Sequence, residues 1–485
     1  MRLRAFTPLV ALALGACMMG PNYQRPELPV PEGYRESAPM DSVARDSVLA
    51  QDSSFANVRW WEVFQDTVLQ RLVRVALEQN LDRRLATERI SEASSLLRIT
   101  KADQYPWISA GAGVSRQQAS QEAIRALPDS SRTYTLFEGG VGLSYELDLF
   151  GRLRRATERD RAILLATEEA QRTVTMLLVA AVAQSYFDLR AADLQLDVSR
   201  RTAESRREYV EIARLRFEGG VTGEIDYRQA QSEYERTRGF VVDFEEQTTL
   251  LENALSVLLG HAPAAVPRGD AISGQLLPPA VPEGLPSSLL DRRPDLRSAE
   301  QQLAASTADI GVAKALLYPN ISLTGFLGLQ SRDLSTLANS SAVAWNAAAS
   351  LVQPIFQGGR NKANVKAAES RMRQQLISYE GTVLNALREV DDALTQYRLA
   401  ADRRAVTDSQ VVYNRIVLGL AEVRYEGGVS QYLEVLDAQR NLLNTELDAV
   451  EAVRRQLAAL VAVYRSLGGG WEVEEPVEEA PPPSE

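Results

Sequence analysis

Apolar residues follow two periods along this chain. From Asp66 to Gln104 they recur at helical spacing, with Leu69, Leu72, Val73, Ala76 and Leu77 on one stripe. The stripe stops at Tyr105-Pro106, because proline disfavours a helical residue before it. The spacing then becomes that of a strand, alternating between two faces. Ile108, Ala110, Ala112 and Val114 alternate with Ser109, Gly111, Gly113 and Ser115. After a polar loop over 117–132, Val141, Leu143, Tyr145, Leu147 and Leu149 alternate with Gly142, Ser144, Glu146 and Asp148. The pattern predicts a β-hairpin over about 105–150.

Residues 152–218 contain neither proline nor glycine. They predict one helix roughly 100 Å long at about 1.5 Å per residue, far beyond the usual globular length. Gly219-Gly220 breaks it, and a second helix follows over 224–259. The order then repeats. A helix from 288 ends at Tyr318-Pro319, and alternating residues predict a second hairpin over about 319–356. Gly358-Gly359-Arg360 precedes a proline-free helix over 361–426, Gly427-Gly428 breaks it, and a last helix spans 431–467. Arg216–Arg238 (RFEGGVTGEIDYRQAQSEYERTR) and Arg424–Glu446 (RYEGGVSQYLEVLDAQRNLLNTE) share an Arg-aromatic-Glu-Gly-Gly-Val core. The chain is therefore one unit written twice, over 61–260 and 288–467, with a Gly/Pro-rich connector over 261–287. The last helix also carries a heptad. Leu433, Leu436, Arg440, Leu443, Leu447, Val450, Arg454, Leu457, Val461 and Tyr464 make a seam for a neighbouring helix.

The flanks give an address. Arg2 and Arg4 precede an apolar run over 5–14, and Leu14-Gly15-Ala16-Cys17 looks like a bacterial lipobox. We expect a signal peptide over 1–16, a lipid on Cys17, and an extended arm over 17–60. Met18 follows Cys17 in place of the aspartate that retains many lipoproteins at the inner membrane, so the address reads as outer membrane. Residues 468–485 predict a disordered acidic tail.

Composition then excludes several classes. The formal net charge is −11 and no Lys/Arg-rich run occurs, which argues against nucleic acid as a partner. One Cys and one His supply neither a disulfide framework nor a Cys/His metal site. His261 stands in the connector without a cluster around it, and no phosphate loop or nucleophile motif appears. The reading is no enzyme and no cofactor.

An apolar strand face meets core in a soluble sheet and lipid in a membrane barrel. Periodicity alone leaves both open; the outer-membrane address favours the barrel. Four strands cannot close on themselves, and open edges are not tolerated in lipid. Two, three or four copies would give eight, twelve or sixteen strands.

The sequence resembles the TolC/OprM-like outer-membrane factor family, in its lipoprotein branch. The resemblance covers nearly the whole mature chain. It is carried by Asp291–Gly325 (DRRPDLRSAEQQLAASTADIGVAKALLYPNISLTG), Tyr145–Arg152 (YELDLFGR), Gln353–Arg360 (QPIFQGGR), Tyr425–Arg440 and Gly468–Trp471. It implies a mixed α and β fold. A homotrimer would form a twelve-stranded transmembrane β-barrel, continued by a twelve-helix periplasmic α-barrel with an equatorial belt. The implied function is the exit duct of a tripartite efflux pump, with a periplasmic adaptor and an inner-membrane transporter as partners. The alternatives are an outlet for secreted proteins and a lipid-anchored helical scaffold without a pore. The resemblance places periplasmic gate acids at Asp226, Glu434 and Asp437, and a tyrosine that helps hold the tip shut at Tyr425. Gly219, Gly220, Gly427 and Gly428 would mark the helix-turn tips that meet the adaptor. Where some relatives carry an arginine in the gate network this chain has Ser430, which puts a latch built on that arginine in question.

Overall fold

Alternation, helix breakers and caps position the elements of the computed structural model. It describes residues 18–31, 33–35, 64, 66–118, 120, 133–269, 271–272 and 289–469. Cys17, the signal peptide, most of the arm, most of the connector and the tail from 470 onward lie outside the described residues. In chain order the elements are α1 (Thr67–Gln79), α2 (Leu81–Ala102), β1 (Trp107–Gln118), β2 (Thr133–Leu147), α3 (Arg152–Glu218) and α4 (Glu224–Leu258). The second half supplies α5 (Leu289–Arg292), α6 (Pro294–Ala315), β3 (Asn320–Ser331), β4 (Val343–Val352), α7 (Arg360–Glu426) and α8 (Tyr432–Ser466). The two proline-free stretches are single helices of 67 residues each.

Contacts divide the chain into two compact units that cut across the sequence repeat. One takes Met1–Glu27, Arg89–Glu168 and Ser298–Glu380; the other takes Leu28–Glu88, Glu169–Arg297 and Gly381–Glu485.

The first unit holds the sheet, antiparallel throughout and ordered β1-β2-β3-β4. Directly paired residues share a face, so the register sorts the side chains. Ile108 pairs with Leu143, Val141 with Leu327, and Leu327 with Trp345. That face is apolar across all four strands. The opposite face carries Ser109, Glu138, Ser144, Glu146, Thr324, Gln330, Asn346 and Ser350, with Ser322 and Ser350 hydrogen-bonded across it at 2.7 Å. The alternation read from the sequence runs two residues too far. β2 ends at Leu147, and Asp148 and Leu149 lie in the turn before α3. Asp148 Oδ2 accepts from the Arg154 backbone N–H at 2.9 Å, satisfying a donor that the first turn of α3 cannot pair internally. Glu146 accepts twice from Arg152, at 2.9 and 2.8 Å.

The second unit is built on a helical core. Asp66 caps α1 by accepting from Val68 N at 2.9 Å and Leu69 N at 3.1 Å. Such a cap is worth about 1 kcal/mol. The same carboxylate accepts from the Tyr186 hydroxyl at 2.7 Å, and that hydroxyl accepts from Gly269 N at 3.0 Å. Burial, then the hydrogen bond to Asp66, pushes the Tyr186 phenol up, so it remains a donor. Leu69, Leu72, Val73 and Ala76 meet Val182, Ala183 and Phe187 of α3 and Leu457 and Leu460 of α8 in one cluster. α3 has a stretch apolar enough to cross a membrane, but most of it is buried, and its apolarity is used in packing.

The heptad of α8 is partly corrected. Leu436, Leu443, Val450, Leu457 and Val461 are buried, whereas Leu433 is 48% exposed. Tyr432, Val435, Leu436, Ala438 and Gln439 form the buried face at this end, which leaves Leu433 off it. The two arginines of the seam are paired. Arg454 meets Asp188 at 2.8 Å, and Arg440 meets Glu233 at 2.6 Å.

Candidate functional site

The two glycine turns have the same geometry because they have the same sequence. Val221 N donates to Arg216 O at 2.8 Å and Gly220 N to Phe217 O at 3.0 Å. In the second copy Val429 N donates to Arg424 O at 2.9 Å and Gly428 N to Tyr425 O at 3.1 Å. This is the Schellman pattern, which pairs carbonyls the helix end leaves free and needs a left-handed residue after the cap. Gly220 and Gly428 supply it, with φ of 67° and 70°. Val221 and Val429 stand exposed at 69% and 71%, one on each turn.

Past each turn the helix restarts with an acid in its first turn, where the N-terminal dipole favours negative charge. Asp226 and Glu434 are the third residues of α4 and α8. Asp226 is half-buried, and Glu434 and Asp437 are exposed. Arg424 Nε approaches Glu434 Oε1 at 3.1 Å, and Arg440 Nη1 approaches Asp437 Oδ1 at 3.8 Å. Positive charge therefore reaches this acid pair from Arg424 and Arg440, not from position 430.

Tyr425 is 5% exposed, inside a cluster with Ala213, Ala230, Ala421, Tyr432, Val435 and Leu436. Its ring meets Tyr432 at 5.6 Å between centroids, and the Arg216 guanidinium carbon lies 4.4 Å from its centroid. Arg216 belongs to the first turn and Tyr425 to the second, so this cation–π contact joins the two. The Tyr425 hydroxyl is buried and has no hydrogen-bond partner among the described residues.

Deeper in the same unit lies a charge hub that periodicity did not reveal. Glu233 is 2% exposed and Arg206 3%. Arg206 Nη1 donates to Glu233 Oε1 at 2.8 Å, and also to the Thr237 hydroxyl. Arg440 Nε donates to the other carboxylate oxygen at 2.7 Å, across 207 positions of sequence. Burial raises the Glu233 carboxyl, but the Arg440 hydrogen bond and the Arg206 charge outweigh it and hold it below the usual range. Burial pushes the neighbouring Tyr432 phenol up to about 12, so it stays neutral. The sequence signal of the hub was Arg440, out of place in an apolar heptad. Among the described residues no group of three or more His, Cys, Asp or Glu is placed to hold a metal ion.

An antiparallel sheet apolar on one face and polar on the other, together with 67-residue helices that turn back at glycine tips, defines a membrane channel protein. The chain belongs to the outer membrane efflux protein family, whose profile matches residues 72–261 and 285–469. It is 35% identical over 464 residues to the cation efflux system protein CusC of Escherichia coli O157:H7, covering 96% of this chain and 98% of CusC. It is 36% identical over 471 residues to the outer membrane protein OprJ of Pseudomonas aeruginosa, covering 96% of this chain and 95% of OprJ. Among solved structures, the open state of the Neisseria gonorrhoeae MtrE outer membrane channel superposes with a TM-score of 0.82 at 30% identity, covering 94% of this chain and 98% of MtrE.

Proposed function

We propose that three copies of this chain close a twelve-stranded barrel in the outer membrane. Their long helices then form a periplasmic tunnel, the exit duct of a tripartite efflux pump. The duct is passive; an inner-membrane transporter and a periplasmic adaptor drive and dock it. The observation that carries this reading is the sheet's apolar face. Ile108, Val114, Val141, Leu327, Trp345 and Leu351 are exposed at 64%, 65%, 46%, 63%, 75% and 64%. A soluble sheet would cover such a face; in a barrel it meets lipid, and the polar face lines water. Among the described residues β1 and β4 each pair on one side only, and lipid forbids such edges, so further copies complete the wall. α7 offers a second face for a neighbouring copy. Ile377 and Leu384, and again Val406, Tyr413 and Leu420, recur at heptad spacing and are exposed.

In this reading Cys17 carries the lipid, and Gly219, Gly220, Gly427 and Gly428 form the tips that meet the adaptor. Asp226, Glu434 and Asp437 rim the entrance, and Tyr425 braces it. Three copies would bring nine carboxylates to one ring, and clustered like charges raise the local cation concentration. The relatives are named for unlike cargo, cations for CusC and solvents for the Pseudomonas putida pump protein SrpC. The cargo of this chain is therefore assigned only as small molecules. Single-channel recording under a salt gradient tests the gate. Wild type should prefer cations and be blocked by multivalent cations from the periplasmic side. Glu434→Gln with Asp437→Asn should weaken both effects. An unchanged reversal potential and unchanged block would show that these carboxylates do not line the path.

A further inference from the structure

Arg155, on the first turn of α3, is 1% exposed, which for an arginine demands an explanation. Its guanidinium is spent on the chain's own N-terminal segment. Nε donates to Met19 O at 3.0 Å, and Nη2 donates to Gly20 O at 3.3 Å and to Asn22 Oδ1 at 2.8 Å. Nη1 is held by Glu158 at 2.7 Å. Met19 N donates to Phe150 O at 3.2 Å, which fastens the segment to the turn between β2 and α3. Backbone packing closes the other side. Gly20 has φ of 90°, and a Cβ on it would lie 2.5 Å from Gly311 Cα. A Cβ on Gly311 would lie 2.6 Å from Met19 O and 2.7 Å from Arg155 Cγ. Farther along, Tyr23 Oη donates to Glu300 at 3.1 Å and Arg25 pairs with the same carboxylate at 3.3 Å.

A tether needs none of this. A flexible arm works through its length and solvation alone. Here a buried cation, costly to desolvate if unpaired, takes its acceptors from an irregular segment. We propose that Arg155 and Gly311 form a docking slot for the chain's own N-terminus, and that the slot fixes where the lipid anchor enters the membrane. Met18 is seated against Gly151, at the start of α3. The residue that follows the proposed anchor in sequence is therefore held at the β2–α3 turn. That turn follows Tyr145 and Leu147, the last members of the apolar face on β2. The anchor and the lipid-facing wall thus enter the bilayer as one body. This inference rests on the reading that Cys17 is acylated.

Hydrogen exchange on the purified full-length mature protein, with intact-mass analysis of the same sample, tests it. Wild type should show an acylated Cys17 and a protected Met19 amide. Arg155→Gln should speed exchange over Met19–Tyr23 at least tenfold, the equivalent of about 1.4 kcal/mol, while exchange in α8 stays unchanged. Asn22→Ala, an exposed loop substitution that leaves α3 intact, should speed it by a smaller factor and keeps the test sound if Arg155→Gln misfolds. Unprotected Met19 in an acylated wild type, or equal protection in wild type and Asn22→Ala, would overturn the slot. Protected Met19 with an unmodified Cys17 would overturn its anchoring role alone.

Discussion

Replacing Glu233 with Gln isolates the charge hub beneath the tips. The side chain keeps its shape and one acceptor oxygen, but Arg206 loses its counter-charge while 3% exposed. Removing one partner of a buried pair costs about 3–5 kcal/mol, because the other charge is left uncompensated. The low end applies here, since Arg440 is 39% exposed and can turn to water. A loss of about 3 kcal/mol corresponds to local opening more than about a hundredfold more frequent. The assay is native-state hydrogen exchange over Ala230–Thr237 and Val435–Arg440. The double variant Arg206→Met with Glu233→Leu should recover most of the loss, as apolar pairs of similar volume often match buried ion pairs. The pH dependence has a definite sign. The folded Glu233 carboxyl is held below its ordinary value, so its stabilisation is complete above the ordinary carboxylate pKa of about 4.3. That stabilisation is lost as the pH falls through the lower folded value. Wild-type tips should loosen in acid below that range, and the Glu233→Gln variant should lack this step. Exchange within twofold of wild type at neutral pH would refute the hub.

Two other predictions address the membrane end. Val141→Arg on the apolar face should cost about 2–4 kcal/mol near the membrane midplane, whereas Ser144→Arg on the polar face should cost much less; folded yield in outer membranes compares them, and equal damage would count against the face assignment. Intact mass should show that the mature chain begins at an acylated Cys17 and that Cys17→Ser loses the acyl mass with the barrel still able to assemble; an unmodified wild-type Cys17 would sink the lipid reading.

Much of this architecture is written in local patterns. The long helices are legible because 152–218 holds no proline or glycine, and the tips because Gly-Gly follows each long helix at the same spacing. Strand alternation was legible too, but not which face meets lipid, since a core and a bilayer select the same residues. Exposure of Leu327 and Trp345 is what the proposed lipid contact rests on. The overrun at Asp148 has a local cause: an acid that caps α3 falls by chance on the polar beat of β2. At the tip, the heptad misplaced Leu433 because the buried face there follows Tyr432, Val435 and Leu436, one step around the helix. The arginine partners of the acids were out of reach for another reason. Arg440 meets Glu233 only after the chain has passed through the second hairpin. No periodicity encodes that meeting.

The account stands on the sheet being one chain's share of a water-filled wall. Conductance of the purified wild-type protein in a planar lipid bilayer tests this most directly. The account predicts discrete, long-lived conductance steps whose size scales with salt, each from one inserted oligomer, once the entrance is open. Protein that is shown to be inserted in the bilayer as an intact oligomer and still passes no current would contradict it.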